Sequence, residues 1–386
     1  MPLLVLGKPL RARATTALLA EEMEFKQKAT ALCGAFLLFL CGSSALAQMH
    51  PPSRIVSEAG YELIPLIVAP SLHWIDSNRL LFTGIKTSEM QAAIAAKQPD
   101  RVARLRKLYV WDGINKSVRL YADAQSACVS NGVITYTVRV DKEAGKQFVK
   151  EGPLGSEKEI GRPLPSKEGV RSNFTCKDHL RDELLPPAPR FRRVVVLRDG
   201  DGYLDLGPGG GNDYFEQRRV LPRNLTLYQG GTGKAIQLPM TWEEEISQFE
   251  VTYSAYRSAY VLLPRMPRGA QLGHIKPWPK DQPLVVYLLW ADGRTQAVTL
   301  PYRPAEYLGN PRPIRAGWIF GGGKSPKSVA LYVFDGTAVA KVESGFVKEI
   351  AVSPDGCKAA VGIQNNPYEM GTPINLKVFD FCLRGR

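Results

Sequence analysis

Histidine is scarce in this chain, four in 386 residues. No two of His50, His73, His179 and His274 stand at the spacing of paired metal ligands, which argues against a histidine-built metal centre. His73, next to Trp74 in an apolar run, reads as a core residue. A Gly-x-Ser-x-Gly elbow is missing, and the strand-like runs leave no room for a separate α/β-hydrolase domain. No apolar run reaches the ~20 residues of a membrane-spanning helix. Complete phosphate loops are missing too. Gly230-Gly231-Thr232-Gly233-Lys234 and Gly321-Gly322-Gly323-Lys324-Ser325 fall short of the required spacing and precede no helix, so both read as hairpin turns.

Glycine and proline, by contrast, are plentiful. The 35 glycines and 29 prolines fall mostly between short apolar runs, the pattern of an all-β chain with many turns. Near the start, Met23 to Lys28 carries lysines, Ala29 to Leu40 is apolar, and Ala45-Leu46-Ala47 is a small-x-small site. These are the three parts of a secretory signal, so residues 23–47 are expected to be cleaved before Gln48, with no membrane anchor left behind. Residues 1–22 then read as an extension ahead of a true start at Met23. The leader removes five basic and three acidic residues and leaves a basic chain, which we expect in the periplasm or secreted, where anionic surfaces are met and nucleic acid is not.

The clearest repeat unit is FVKEIAVSPDGCKAAVGIQNNPYEMGTPINLKVFDFC, residues 346–382. It reads as three strands, with Ser353-Pro354-Asp355-Gly356 as a tight turn between the first two. A propeller blade has four strands, so the fourth is expected from the other chain end, in Arg54 to Ser57 or Tyr61 to Val68. The same plan recurs at residues 70–121, and strand runs follow at 128–140, 194–197, 225–238, 249–300 and 314–342. The aromatic-Asp phrases ending at Asp292, Asp335 and Asp380 lie 43 and 45 residues apart, the period of propeller blades. The expectation is a single all-β propeller over residues 48–386, with six blades (or seven) and a ring closed by N- and C-terminal strands. Residues 141–193, rich in Lys, Glu, Gly and Pro, read as a surface insertion, and residues 88–98 as a short helix that packs on the rim or docks a partner.

Cys33 and Cys41 leave with the signal, and four cysteines remain, an even number for an oxidising compartment. In the last blade Cys357 opens the second strand and Cys382 closes the third, side by side in an antiparallel pair. The second bridge is then Cys128 with Cys176.

The phrases VSPDG, LYVWDG, LYVFDG and LKVFDF resemble the blades of TolB-like and WD-repeat propellers. That resemblance implies an exported, non-catalytic scaffold with protein partners in the cell envelope. The other function weighed is a lactonase- or glycosidase-like propeller hydrolase, marked by carboxylates converging from different blades on a central channel. No catalytic residue or organic cofactor is assigned. One metal site is: Asp199, Asp201 and Asp205, alternating with glycines, can offer oxygens to calcium, and the phrase resembles the loops of calcium-bearing propeller repeats. An Asp-Gly hairpin turn is the competing reading of the same residues. The exported protein is expected to begin at Gln48 when its N-terminus is sequenced; a product still beginning at Met1 would contradict the signal.

Overall fold

Short apolar runs separated by turn residues fold here as antiparallel meanders. The computed structural model describes residues 53–54, 61–63, 71–97, 105–130, 132–139, 147–159, 192–196, 202–208, 224–229, 232–239, 248–265, 284–301, 307–323, 328–366 and 374–382. The chain divides into Met1–His50, outside the described residues, and Pro51–Arg386, to which everything below belongs. No helix among the described residues is long and apolar enough to cross a membrane.

In chain order the elements begin with β1 (Ser53–Arg54), β2 (Tyr61–Leu63), β3 (Leu72–Trp74), β4 (Arg79–Lys86), helix α1 (Thr87–Ala95), β5 (Lys107–Asp112) and β6 (Ser117–Ala122). A second sheet holds β7 (Ala124–Ser130), β8 (Val133–Arg139), β9 (Gln147–Pro153) and β10 (Lys158–Glu159). The third has β11 (Arg192–Val196), β12 (Gly202–Pro208), β13 (Asn224–Gln229) and β14 (Thr232–Gln237). The fourth has β15 (Gln248–Ser254), β16 (Ala259–Arg265), β17 (Leu284–Trp290) and β18 (Thr295–Leu300). The fifth has β19 (Tyr307–Ile314), β20 (Gly317–Gly323), β21 (Ala330–Phe334) and β22 (Val339–Ser344). The chain ends with β23 (Phe346–Val352), β24 (Lys358–Gln364) and β25 (Ile374–Asp380).

Sequence neighbours pair throughout these meanders, and β1 and β2 pair with β25. Ser53 and Arg54 of β1 pair with Asp380 and Phe379 of β25, while Glu62 of β2 pairs with Asn375 of β25 on one side and Ile85 of β4 on the other. The β3–β6 and β23–β25 meanders are thereby joined into one nine-stranded sheet. Both N-terminal runs foreseen as the missing strand take part. The Cys357–Cys382 disulfide forms, with Cα atoms 5.2 Å apart, and pins the end of β25 on which β1 docks.

Burial follows strand position. Middle strands such as β17 (LVVYLLW) and β24 (KAAVGIQ) are apolar on both faces and buried on both, whereas the last strands β6, β18 and β22 are largely exposed. A strand apolar on both sides needs a neighbouring sheet on each. Accordingly, one cluster runs from Leu204 and Leu227 through Leu262 and Tyr287 to Trp318 and Phe320, joining the third, fourth and fifth sheets. Leu72, Trp74, Phe82 and Trp111 pack with Ala360 and Val378, and Leu81 and Val110 pack with Ile134 and Tyr136. Burying each such side chain contributes roughly 1.5–3 kcal/mol.

Polar ties cross the same seams. Glu349 of β23 accepts the Ser71 and Leu72 N–H groups at 2.8 and 3.0 Å, and Trp74 Nε1 donates to the Ala351 carbonyl at 2.9 Å. Withdrawal from water pushes the Glu349 carboxyl above its ordinary 4.5, against the pull of those donors and of Arg312.

Three expectations are corrected. Residues 147–153 and 158–159, inside the stretch 141–193 read as an insertion, are β9 and β10: β9 pairs with β8 along seven residues, and its Lys, Glu and Gly suit a strand near a sheet edge. Residues 160–191 lie outside the described residues. Gly321, Gly322 and Gly323 are not a turn but the buried end of β20, where a Cβ on Gly321 would sit 2.6 Å from that of Val347. The fifth meander begins at Tyr307, ahead of the expected Ile314, on a strand carrying Pro311 and Pro313 and bulged between Gly309 and Arg312.

The recurring aspartates have a common structural use. Asp112 Oδ1 accepts the Ile114 N–H at 2.8 Å, Asp335 Oδ1 accepts those of Thr337 and Ala338 at 2.8 Å, Asp292 Oδ1 that of Arg294 at 3.0 Å, and Asp380 Oδ1 that of Cys382 at 2.9 Å. Each clamps the chain as it leaves the third strand of a meander. Backbone donors hold Asp112, Asp292 and Asp335 below the ordinary carboxylate value of 3.8. Such groups stabilise the fold above their unfolded values, and that support is lost as pH falls through the lower folded ones. The thermal midpoint should therefore drop as the pH is taken below about 4, with a shallower acid slope in Asp335→Asn. An acid limb identical in wild type and variant would contradict the clamp.

Candidate functional site

Where the first strand of a meander hands over to the second, the chain makes a short turn, and four of these turns meet. The centre is the 353–357 turn between β23 and β24. Asp355 closes it by accepting the Ser353 hydroxyl at 2.5 Å and the Cys357 N–H at 3.0 Å, and Gly356 adopts φ +73°, open to glycine at little cost. Partial burial raises the Asp355 carboxyl, but these donors and the Ser77 side chain outweigh it and hold the group below 3.8.

Three other meanders touch this turn. From the fifth sheet, the Arg315 N–H donates to the Gly356 carbonyl at 2.8 Å. From the first, Ser77 and Asn78 receive Lys358 Nζ at 2.9 and 3.2 Å on the Ser77 carbonyl and Asn78 Oδ1. From the fourth sheet, two sheets away in chain order, the Tyr256 ring lies over Gly356 so closely that a Cβ there would be 2.6 Å from it. Arg257 stacks its guanidinium on that ring at 5.0 Å, and its carbonyl accepts Trp290 Nε1 at 3.1 Å. The disulfide fixes the turn from behind, where the Phe381 N–H also donates to the Cys357 carbonyl at 2.8 Å.

Beside the hub opens a depression of about 430 Å³ lined by Asp76, Ser77, Asn78, Arg79, Asp112 and Ile114. Its polar groups are ordered among themselves. Asp76 accepts the Asn78 and Arg79 N–H groups, both at 2.8 Å, and pairs with Arg79 Nε at 2.7 Å. Ile114, by contrast, leaves 75% of its surface in water, a large apolar group on the wall of a charged hollow. The chemistry on offer is contact and charge rather than proton transfer: Asp76 and Asp112 both belong to the first meander and both serve as turn clamps.

Of the residues singled out from sequence, Cys357 and Cys382 belong to the 353–357 turn and its disulfide. Asp199 and Asp201 lie outside the described residues, and Asp205 is buried in β12 between Val194 and Thr226. Cys128 lies in β7, and Cys176 outside the described residues. His73 is half-buried on β3, and the other three histidines lie outside the described residues. Helix α1 covers most of residues 88–98, with Ala93 buried and Ile94 exposed. Sequence reading passed over Tyr256, Arg257, Arg315 and Lys358. The available signal was position, since each stands at the first turn of its meander, as Asp76 does.

No protein-family model and no curated protein sequence matches the chain. Among solved structures it is similar to the acylaminoacyl peptidase of Pyrococcus horikoshii (13% identity, 79% of this chain and 50% of that one, TM-score 0.45). It is similar also to the β-propeller domain of the trilobed protease from Pyrococcus furiosus (12%, 83% and 81%, 0.34) and to TolB from Acinetobacter baumannii (10%, 79% and 74%, 0.33). The chain spans half the length of the first of these. At such identities and TM-scores no activity or partner carries across from them.

Gly356→Val should expose the hub directly. Its side chain meets both an unfavourable φ and the Tyr256 ring, for a loss of about 2–4 kcal/mol in denaturant unfolding. Gly336→Val, with a positive φ but open space around it, should lose only the backbone share of about 1–2 kcal/mol. Equal losses at the two positions would mean that the turns do not meet.

Proposed function

We propose that the mature chain is an exported six-bladed β-propeller that binds protein partners in the cell envelope, as a periplasmic or secreted scaffold. The blades are the β3–β6 meander, the four four-stranded sheets, and β23–β25 completed by the N-terminal strands, whose pairing with β25 closes the ring. One observation carries the functional half of this reading: turns from four meanders are fastened into one face by hydrogen bonds and ring packing, with a disulfide bracing the central turn. A surface whose loops are fixed before a partner arrives loses little entropy on binding, and rigid scaffolds with displayed turns commonly bind. The repeating carboxylates, which a hydrolase would need free at a channel, are here committed to turns.

Cross-linking and affinity capture of the tagged protein from its native envelope or medium, followed by mass spectrometry, tests the reading. A specific partner should be enriched over a control propeller, and Ile114→Asp should reduce its recovery severalfold without shifting the thermal midpoint. If nothing is enriched over the control, the scaffold reading fails, and the hydrolase reading with a channel site takes its place.

A further inference from the structure

On the face around the 353–357 turn, negative and positive groups are placed differently. Asp76, Asp112 and Asp355 have their oxygens engaged by the turns they close. Arg79, Arg257 and Arg315 are all exposed. Arg79 is paired with Asp76, and Arg257 and Arg315 are exposed cations among the described residues in contact with the hub. Both are tied to Gly356, Arg315 through its own N–H and Arg257 through the Tyr256 ring beneath it. They come from the fourth and fifth sheets and are brought together by the fold alone.

We propose that this face binds an acidic peptide segment of a partner protein, with Arg257 and Arg315 taking its carboxylates and Ile114 taking an apolar side chain. The inference rests on the scaffold reading and names the surface and the partner's chemistry. A guanidinium presents a planar fork that matches a carboxylate, and stacking on Tyr256 holds Arg257 ready for it. The chain carries a net charge of +13 and stays strongly basic once a leader with only two net positive charges is removed, which favours approach of an anionic partner. An extended peptide suits the face better than a lipid surface, because the apolar group lies singly in a depression instead of forming a broad band.

The test uses the purified protein and a fluorescein-labelled oligoglutamate peptide with a central leucine. An oligolysine counterpart and anionic vesicles of phosphatidylcholine and phosphatidylglycerol serve as comparisons. Binding of the acidic peptide should weaken with added salt and fall at least about tenfold in Arg257→Glu/Arg315→Glu. Arg119→Glu, an exposed reversal on the outer strand β6, should leave it within about twofold. Thermal midpoints of both variants should match wild type. No peptide binding, an equal loss in Arg119→Glu, an intact affinity in the double reversal, or binding to vesicles without binding to peptide would each overturn the proposal. Affinity capture with the double reversal separates the two readings: a partner recovered equally by both forms keeps the scaffold and removes this face, whereas no partner in either removes the scaffold.

Discussion

Strands that are apolar on both faces can be buried only between two other sheets. That constraint organises the molecule. The middle strands of the meanders, β17 and β24 among them, expose no polar face on which a sheet could meet water. The meanders therefore stack face to face, with cores continuous from the third sheet to the fifth, and across the first sheet to both the last meander and the second sheet. Stacking in this way brings the same part of each meander to the same end of the stack. The turns between first and second strands then crowd together, and the 353–357 turn becomes the point where four of them touch.

One meander takes part of its pairing from strands far away in the chain. The last meander has three strands of its own and takes its outer pairing from β1 and β2. Short strands such as these hold little free energy by themselves. The supporting contacts are correspondingly concentrated: the disulfide at the end of β25, Glu349 on the N–H groups leading into β3, and Trp74 on Ala351. A bridge closing a loop of this length contributes about 3 kcal/mol, more than any one of the hydrogen bonds. What fastens these strands together also stiffens the hub, because Cys357 belongs to both.

Much of this was legible in the sequence, for reasons that can be named. Ser353-Pro354-Asp355-Gly356 fixes a turn by local chemistry alone. The aspartate period was visible as well, because a clamp at each third strand repeats with the meander. The misses are equally physical. Pro311 and Pro313 hid the first strand of the fifth meander, since proline is tolerated only where a bulge spares the ladder. Gly321 passed for a turn because its real reason, the approach of Val347, comes from another sheet. Tyr256 meets Gly356 across 100 residues of chain, and nothing local marks either residue for the other. Packing that leaves no local signature is where the reading ran out, and the candidate face is made mostly of such packing.

The functional reading depends on that face being rigid before anything binds to it. Native-state hydrogen exchange resolved by mass spectrometry measures this most directly, on peptides covering residues 253–258, 313–318 and 353–358. The expected result is that all three are protected and open together as one unit, with the 353–358 amides as slow as those of the strands beside them. Exchange of residues 353–358 at the rate of a solvent-exposed loop, independent of the other two segments, would contradict the convergence of the turns and with it the preformed binding face.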